Sequence, residues 1–255
     1  MTLLHQDSLV LGPLRVLRRT PSWLAEVVLA ALAPGGAPVA VAFCNAHTAE
    51  LALDDPEFAT ALQRFVVVND GIGLEVAARF LEGRGFPDNL NGTDFLPYLF
   101  ARLERPARVY LLGAAPGIAW EAGDRFAARF PNVHVVGARD GYFSPEHEAD
   151  VVAAVAAAQP DIVLVAFGNP KQELFIARHF EALGARAAFG VGALLDFTAG
   201  KVARAPSWMR KARVEWAFRL AQEPGRLVRR YTIGMGWFLL AVLKLWLSGG
   251  PRQIL

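Results

Sequence analysis

The chain has 255 residues, 54% hydrophobic and 20% charged, enough apolar material for one large domain or a domain with an appendage. Its one cysteine, Cys44, excludes an intramolecular disulfide and a cysteine metal cluster, and it fits a reducing compartment. The net charge is only +2, yet from Lys201 to Arg230 nine Lys or Arg stand against two Glu, so the basic character belongs to one segment and the rest of the chain is net acidic.

The opening stretch MTLLHQDSLVLGPLRVLRR has no charged region followed by a long apolar run, so no signal peptide is expected. In chain order, 23–32 reads as a helix, APGGAP (33–38) as a short loop and 39–44 as a strand. A helix over 56–65 follows, capped by Asp54 and Asp55 ahead of Pro56, then a strand over 65–68. Helices are expected over 74–81 and 93–103, a strand over 109–112, a helix over 117–130 and a strand over 133–136. A helix over 145–158, a strand over 162–167, a helix over 171–183 and a strand over 187–191 complete the alternation. The strand runs are continuously apolar rather than alternating, which suits strands buried on both faces of a parallel sheet. After about Val202 strands cease: 206–222 reads as one helix, EPGR (223–226) breaks it, and 227–247 is helical again. The predicted fold is α/β, a Rossmann-like parallel sheet sandwiched by helices, with a catalytic domain over 1–200 and a basic and apolar helical appendage over 201–255.

Ligands of such sheets bind beyond the carboxyl ends of the strands. Those ends carry Asn45 and His47, then Asn69-Asp70-Gly71-Ile72-Gly73, Gly113 to Gly117, Asp140-Gly141-Tyr142-Phe143, Gly168 to Glu173, and Gly192 to Asp196. The stretch from Gly113 to Gly117 suits a phosphate at a helix N-terminus or an ordinary turn, and it is neither G-x-G-x-x-G nor a P-loop. His47 reads as a structural polar residue, Cys44 and Phe143 as core. The other histidines show no metal spacing, and no Asp-x-Asp occurs, so no metal site and no cofactor are expected. Asp70 reads either as a general base or as the cap of the helix that follows.

Six blocks taken in order are far more specific: NDGIGLEVAARF (69–80), NGTDF (91–95), DGYF (140–143), GNPKQELF (168–175), GVGALLDFTAGKVARAP (190–206) and VEWAFRLAQEPGRLVRRY (214–231). Together they resemble the WecG/TagA/CpsF family of bacterial glycosyltransferases, from about Leu9 to Tyr231. The resemblance implies an inverting, metal-independent hexosyltransferase. It would move a sugar (N-acetylmannosamine-type, its uronic acid, or a hexose) from a UDP-sugar to a polyprenyl-diphosphate-linked sugar in cell-surface polysaccharide or teichoic-acid synthesis. It makes Asp70 the general base, with Gly71 and Gly73 leaving room for the sugar. Asn45 and Gln172 carry over as further active-site residues, with Lys171 beside Gln172. Tyr142 and Asp196 fall where the uridine is held, and Gly113 and Gly168 belong with the donor nucleotide. Two positions depart from the pattern: Phe43 stands where many members have threonine, and Asn89 where many have arginine.

The basic segment suits a solvated helix face, or a supply of positive charge for a departing UDP from Arg204, Arg213, Arg219 and Arg226, helped by Arg229 and Arg230. The run 231–247 has 17 residues and a single charge, Lys244, short of the roughly 20 that span a bilayer. It reads as a helix lying in the membrane surface, with 226–247 as the contact and the protein peripheral on the cytoplasmic face of the inner membrane. The second reading of this run is a subunit interface in a homo-oligomer. A nucleotide-binding regulatory module without transferase activity remains the alternative function. A nucleic-acid binder is disfavoured by the apolar tail.

Overall fold

The computed structural model describes residues 7–206, 208–209 and 214–248, with the side chains of 226 and 229–231 outside it. Eight strands form one sheet: β1 (Ser8–Leu11), β2 (Leu14–Leu17), β3 (Val39–Cys44), β4 (Val66–Asn69), β5 (Ala107–Gly113), β6 (Val133–Arg139), β7 (Ile162–Ala166) and β8 (Ala187–Gly190). Their spatial order is β1-β2-β4-β3-β8-β7-β5-β6. Only the β1–β2 hairpin is antiparallel, and β2 joins the parallel sheet where Leu17 lies opposite Val68.

The helices are α1 (Pro21–Leu32), α2 (Ala46–Asp54), α3 (Pro56–Leu62), α4 (Ile72–Glu82), α5 (Gly92–Phe100), α6 (Ile118–Arg129), α7 (Glu148–Ala157), α8 (Lys171–Leu183) and α9 (Leu194–Thr198). They cover both faces of the sheet, because successive strand residues point to opposite sides. Along β3, Val39, Val41 and Phe43 enter the core beneath α1, α5, α6 and α9, while Ala40, Ala42 and Cys44 enter the core beneath α2, α4, α7 and α8. The sandwich expected from the continuous apolar strands is therefore present. The cap expected from Asp55 is present too: its Oδ1 accepts from the Glu57 and Phe58 amides at 2.9 and 3.2 Å.

Three elements escape the sequence reading. The β1–β2 hairpin has two strands of four residues each. Helix α2, over a stretch to which the sequence reading gives no element, begins directly after β3, because Asn45 caps it by accepting from the His47 and Thr48 amides at 3.0 and 3.1 Å. Helix α9 has only five residues.

The C-terminal region also departs from expectation. Val214 is not helical, so α10 starts at Glu215 and ends at Gln222 instead of running from 206. Only Glu223 breaks the chain, and Pro224 opens α11 (Pro224–Arg229), as suits a residue with no N–H to satisfy. A π-helical turn (Arg230–Gly234) leads into α12 (Met235–Leu247). Helix α12 is docked on the body. It packs against α2 and α4, and Phe238 and Val242 are almost wholly buried in the core of that face. Among the described residues no helix is long and apolar enough to cross a membrane.

Candidate active site

The chain leaves β3 and β8, neighbours at the centre of the sheet, toward opposite sides, which opens a crevice at their carboxyl ends. Asp70 lies on its rim. The Asp70 N–H donates to the Cys44 carbonyl at 2.6 Å, extending the β3–β4 ladder by one bond. The cap position of α4 belongs to Gly71, one residue past Asp70, with φ at +85°. This is a conformation in which a side chain is strained, and a Cβ there would meet nothing within 4 Å. The space beside Asp70 is open, as expected. The turn is tied to the segment 88–90 by three bonds: Asn69 Nδ2 to the Asp88 carbonyl at 2.9 Å, the Leu90 N–H to the Asn69 carbonyl at 3.0 Å, and the Gly71 N–H to Asn89 Oδ1 at 2.6 Å. Gly73 has a different reason. A Cβ there would come within 2.7 Å of the Ala46 Cβ and 3.4 Å of the Met235 Cε, so Gly73 lets α4 approach α2 and α12.

A cavity of about 470 Å³ opens over Asp70. Its polar lining is Asn45, His47, Asp70, Asn89, Asn91 and Thr93. Its apolar lining includes Ile72 and Val76 of α4, Phe197 of α9, Trp216 of α10, and Met235 and Leu239 of α12. Arg219 and Glu215 are also in the lining. Asn45 serves two purposes here: its Oδ1 caps α2 and takes the Thr48 hydroxyl at 3.3 Å, and its side chain lines the cavity.

A second, broader cavity of about 1070 Å³ lies further along the same edge, lined by Ala114, Ala115, Tyr142, Lys171, Arg178 and Asp196 among others. Tyr142 is 74% exposed at its mouth, a ring free to stack. Phe143 packs edge-on against Phe167 at 5.6 Å, the core role expected for it. Gly113 and Gly168 do not line this cavity. A Cβ on Gly113 would fall 2.5 Å from the Ala166 carbonyl oxygen, so this glycine serves the close approach of β5 and β7. Gly168, at φ +76°, turns the chain from β7 into α8. Helix α9 lines both cavities, the second through Asp196 and the first through Phe197.

Comparison with known proteins decides what carries this arrangement. The profile "Glycosyl transferase WecG/TagA/CpsF family" matches residues 11–251. The chain belongs to this family of glycosyltransferases. Two relatives bear the name N-acetylglucosaminyldiphosphoundecaprenol N-acetyl-beta-D-mannosaminyltransferase. The one from Bacillus spizizenii is 31% identical over 195 residues, 76% of this chain and 74% of its own length. The one from Bacillus subtilis is 31% identical over 202 residues, 78% and 77% of the two chains.

Within this WecG/TagA/CpsF chain, Gln172 lines neither cavity. It is 2% exposed, and its Oε1 accepts from the Gly168 and Gly192 N–H groups at 3.2 and 3.0 Å. It therefore fastens the β7–α8 turn to the β8–α9 turn, and its Nε2 donates to Glu173 Oε1 at 2.7 Å. In the sequence Glu173 shows as a charge in a helical run, with no local sign of burial. It is fully buried, its Oε1 also accepts from Asn169 Nδ2 at 2.7 Å, and its Oε2 is buried with no hydrogen-bond partner among the described residues.

Burial pushes the Glu173 carboxyl up to about 7, against the pull of its hydrogen bonds to Gln172, its own backbone and Asn169. The Cys44 thiol nearby is raised well above its ordinary value, first by burial and then by Glu173 and Asp70. Folded Glu173 keeps its proton to higher pH than the unfolded chain does. Between about 4.5 and 7 the folded state binds more protons, and stability falls as pH rises through that window. The loss is on the order of 3 kcal/mol. Glu173→Gln is expected to flatten the melting temperature between pH 5 and 8, where the native protein declines. Identical pH dependence of the two melting temperatures would remove the buried acid as its cause.

The arginines separate. Arg204 Nη1 bonds Asp94 Oδ1 at 2.8 Å, and its Nε lies 3.8 Å from Glu215 Oε1, so it links α5 to α10. The guanidinium groups of Arg204 and Arg219 both lie over the Phe197 ring, 5.9 and 5.3 Å from its centre. Arg204 Nε and Nη2 and Arg219 Nε are buried without hydrogen-bond partners among the described residues. Arg213 lies outside the described residues, and of Arg226 only the backbone, in α11, is described. Phe43 is in the core, against Phe95 at 6.0 Å and Phe189 at 6.4 Å, and brings no polar group to this site.

Proposed function

We propose that this protein transfers an N-acetylmannosamine-type sugar from a UDP-sugar to a polyprenyl-diphosphate-linked N-acetylglucosamine, with inversion and without a metal ion. The observation that carries the reading is the pairing of cavities at α9. Asp70 sits in one that has an apolar lining, and Tyr142, Lys171 and Asp196 sit in the other. A UDP-sugar laid along this edge puts its uridine at Tyr142 and Asp196 and its sugar toward Asp70. The acceptor hydroxyl attacks the anomeric carbon, forming the new carbon–oxygen bond as the bond to the diphosphate oxygen breaks. Asp70 takes the hydroxyl proton, and UDP leaves with the electron pair. The Arg219 guanidinium, in the lining of the first cavity, suits the charge that develops on the diphosphate, whereas Arg204 lines neither cavity and is held by Asp94 and Glu215. The names of the two relatives support the acceptor class and the donor sugar.

The proposal includes a peripheral place on the cytoplasmic membrane face. Helix α12 shows Trp237, Leu240, Leu243, Trp246 and Leu247 to solvent, and Trp246 meets the exposed Phe80 of α4 at 5.6 Å. Such a surface suits burial in a lipid interface, with the basic residues of 226–230 at the headgroups.

The test is UDP release from UDP-N-acetylmannosamine with a polyprenyl-diphosphate-linked N-acetylglucosamine, the product read by mass spectrometry. UDP and disaccharide-lipid are expected together. Their absence across a panel of UDP-sugars would favour a regulatory nucleotide binder. Turnover is expected to persist in EDTA, because arginine side chains rather than a cation are proposed to meet the diphosphate charge, and loss with rescue by Mg²⁺ or Mn²⁺ would overturn the metal-free mechanism.

A further inference from the structure

Asn89 lines the cavity of Asp70 and is partly exposed there. Its Oδ1 is taken by the Gly71 N–H at 2.6 Å, the shortest of the three bonds that hold the turn. Its own N–H donates to Asp88 Oδ1 at 2.8 Å, so the backbone that carries it is restrained as well. An amide whose oxygen is engaged has both Nδ2 hydrogens left to donate, and among the described residues no hydrogen bond from Nδ2 is formed. The Gly71 N–H follows the Asp70 carbonyl in the same peptide plane. Fixing that N–H therefore fixes the plane from which the Asp70 side chain departs.

We infer that Asn89 positions Asp70 through the Gly71 N–H and binds the acceptor sugar through Nδ2, donating to a neutral sugar oxygen beside the attacking hydroxyl. A neutral amide at this place has a second consequence. A cation there would favour the ionised carboxylate and weaken it as a base, whereas an amide can orient the sugar without that loss. The inference rests on the assignment of Asp70 as the base. Among the described residues, the other titratable groups in the lining of that cavity are His47 from α2 and Glu215 and Arg219 from α10, and Cys44 of β3 feels the charges of both Asp70 and Glu173 of α8.

Two substitutions separate the two roles. Asn89→Asp keeps an oxygen for the Gly71 N–H, removes the donor and adds a carboxylate beside Asp70. It is expected to raise the acid limb of the kcat/KM profile by about one pH unit or more and to raise the acceptor KM. Asn89→Ala removes both contacts. It is expected to lower kcat/KM by about 10–100-fold, since small misplacements at a reacting centre cost that much, with UDP affinity and melting temperature near those of the native protein. Native kcat, KM and pH profile in both variants would overturn the inference. So would a loss in Asn89→Ala that follows a lowered melting temperature while Asn89→Asp keeps the native profile, because that describes a purely structural residue. Asp70→Asn run alongside keeps the two assignments apart. If it is inactive while both Asn89 variants behave as native, Asn89 alone is misassigned; if Asp70→Asn turns over normally, the base assignment falls and takes the inference with it.

Discussion

Asp70→Asn is expected to lower turnover by about 10²–10⁴, the usual worth of a general base, with UDP affinity nearly unchanged. Asparagine has the shape of aspartate and keeps the backbone bond from residue 70 to the Cys44 carbonyl, so the turn survives. What is lost is the basic oxygen that accepts the acceptor's proton. Tyr142 and Asp196, proposed to hold the uridine, line the other cavity and are untouched. Steady-state kinetics and UDP titration on the folded variant are the measurements. Native turnover would show that Asp70 is not the base.

Removal of 231–255 is expected to act in two places at once. Protein without α12 should no longer sediment with anionic liposomes, whereas the intact chain should bind them and come off partly at high salt, where screening weakens only the arginine contribution. Considered as sequence, the tail looks separable from the chemistry. Docked, it supplies Met235 and Leu239 to the cavity over Asp70 and buries Phe238 and Val242 on the body. Each of those buried side chains is worth roughly 1.5–3 kcal/mol. The truncated protein is therefore also expected to melt lower and to show at least a tenfold higher KM for the lipid acceptor (about 1.4 kcal/mol). Unchanged liposome binding would rule out the anchor and favour a subunit interface. Unchanged acceptor KM would show that α12 is no part of the acceptor site.

Several of these features can be read from the chain alone. Strands buried on both faces must be apolar throughout, so β3, β7 and β8 show as continuous runs between helical patterns, and an α/β sandwich follows from local periodicity. Polar residues gather where the parallel strands end, which marks the edge that holds Asp70 after β4, Tyr142 after β6 and Asp196 after β8. Asp55 caps α3 through atoms two and three residues away, an interaction local enough to be visible as D-P-E.

The remainder depends on partners distant in sequence. Gly73 looks like room for a substrate until Ala46 and Met235 are seen against it. Gln172 looks like a pocket residue, yet Gly168 and Gly192 claim its oxygen. Glu173 is an ordinary charge in a helix until the sheet closes over it, and desolvation then makes it a buried acid. Asn89 shows only as a departure from a family pattern, and its bond to Gly71 spans 18 residues. The amino-acid order determined the layers, the sheet edge and the acidic residue on it, because apolar periodicity and caps act within a few residues. Which glycine packs and which opens, which amide braces and which faces the cavity, and where the apolar tail lies were decided only when the helices met, because each depends on what a neighbour far along the chain brings to within a few ångströms.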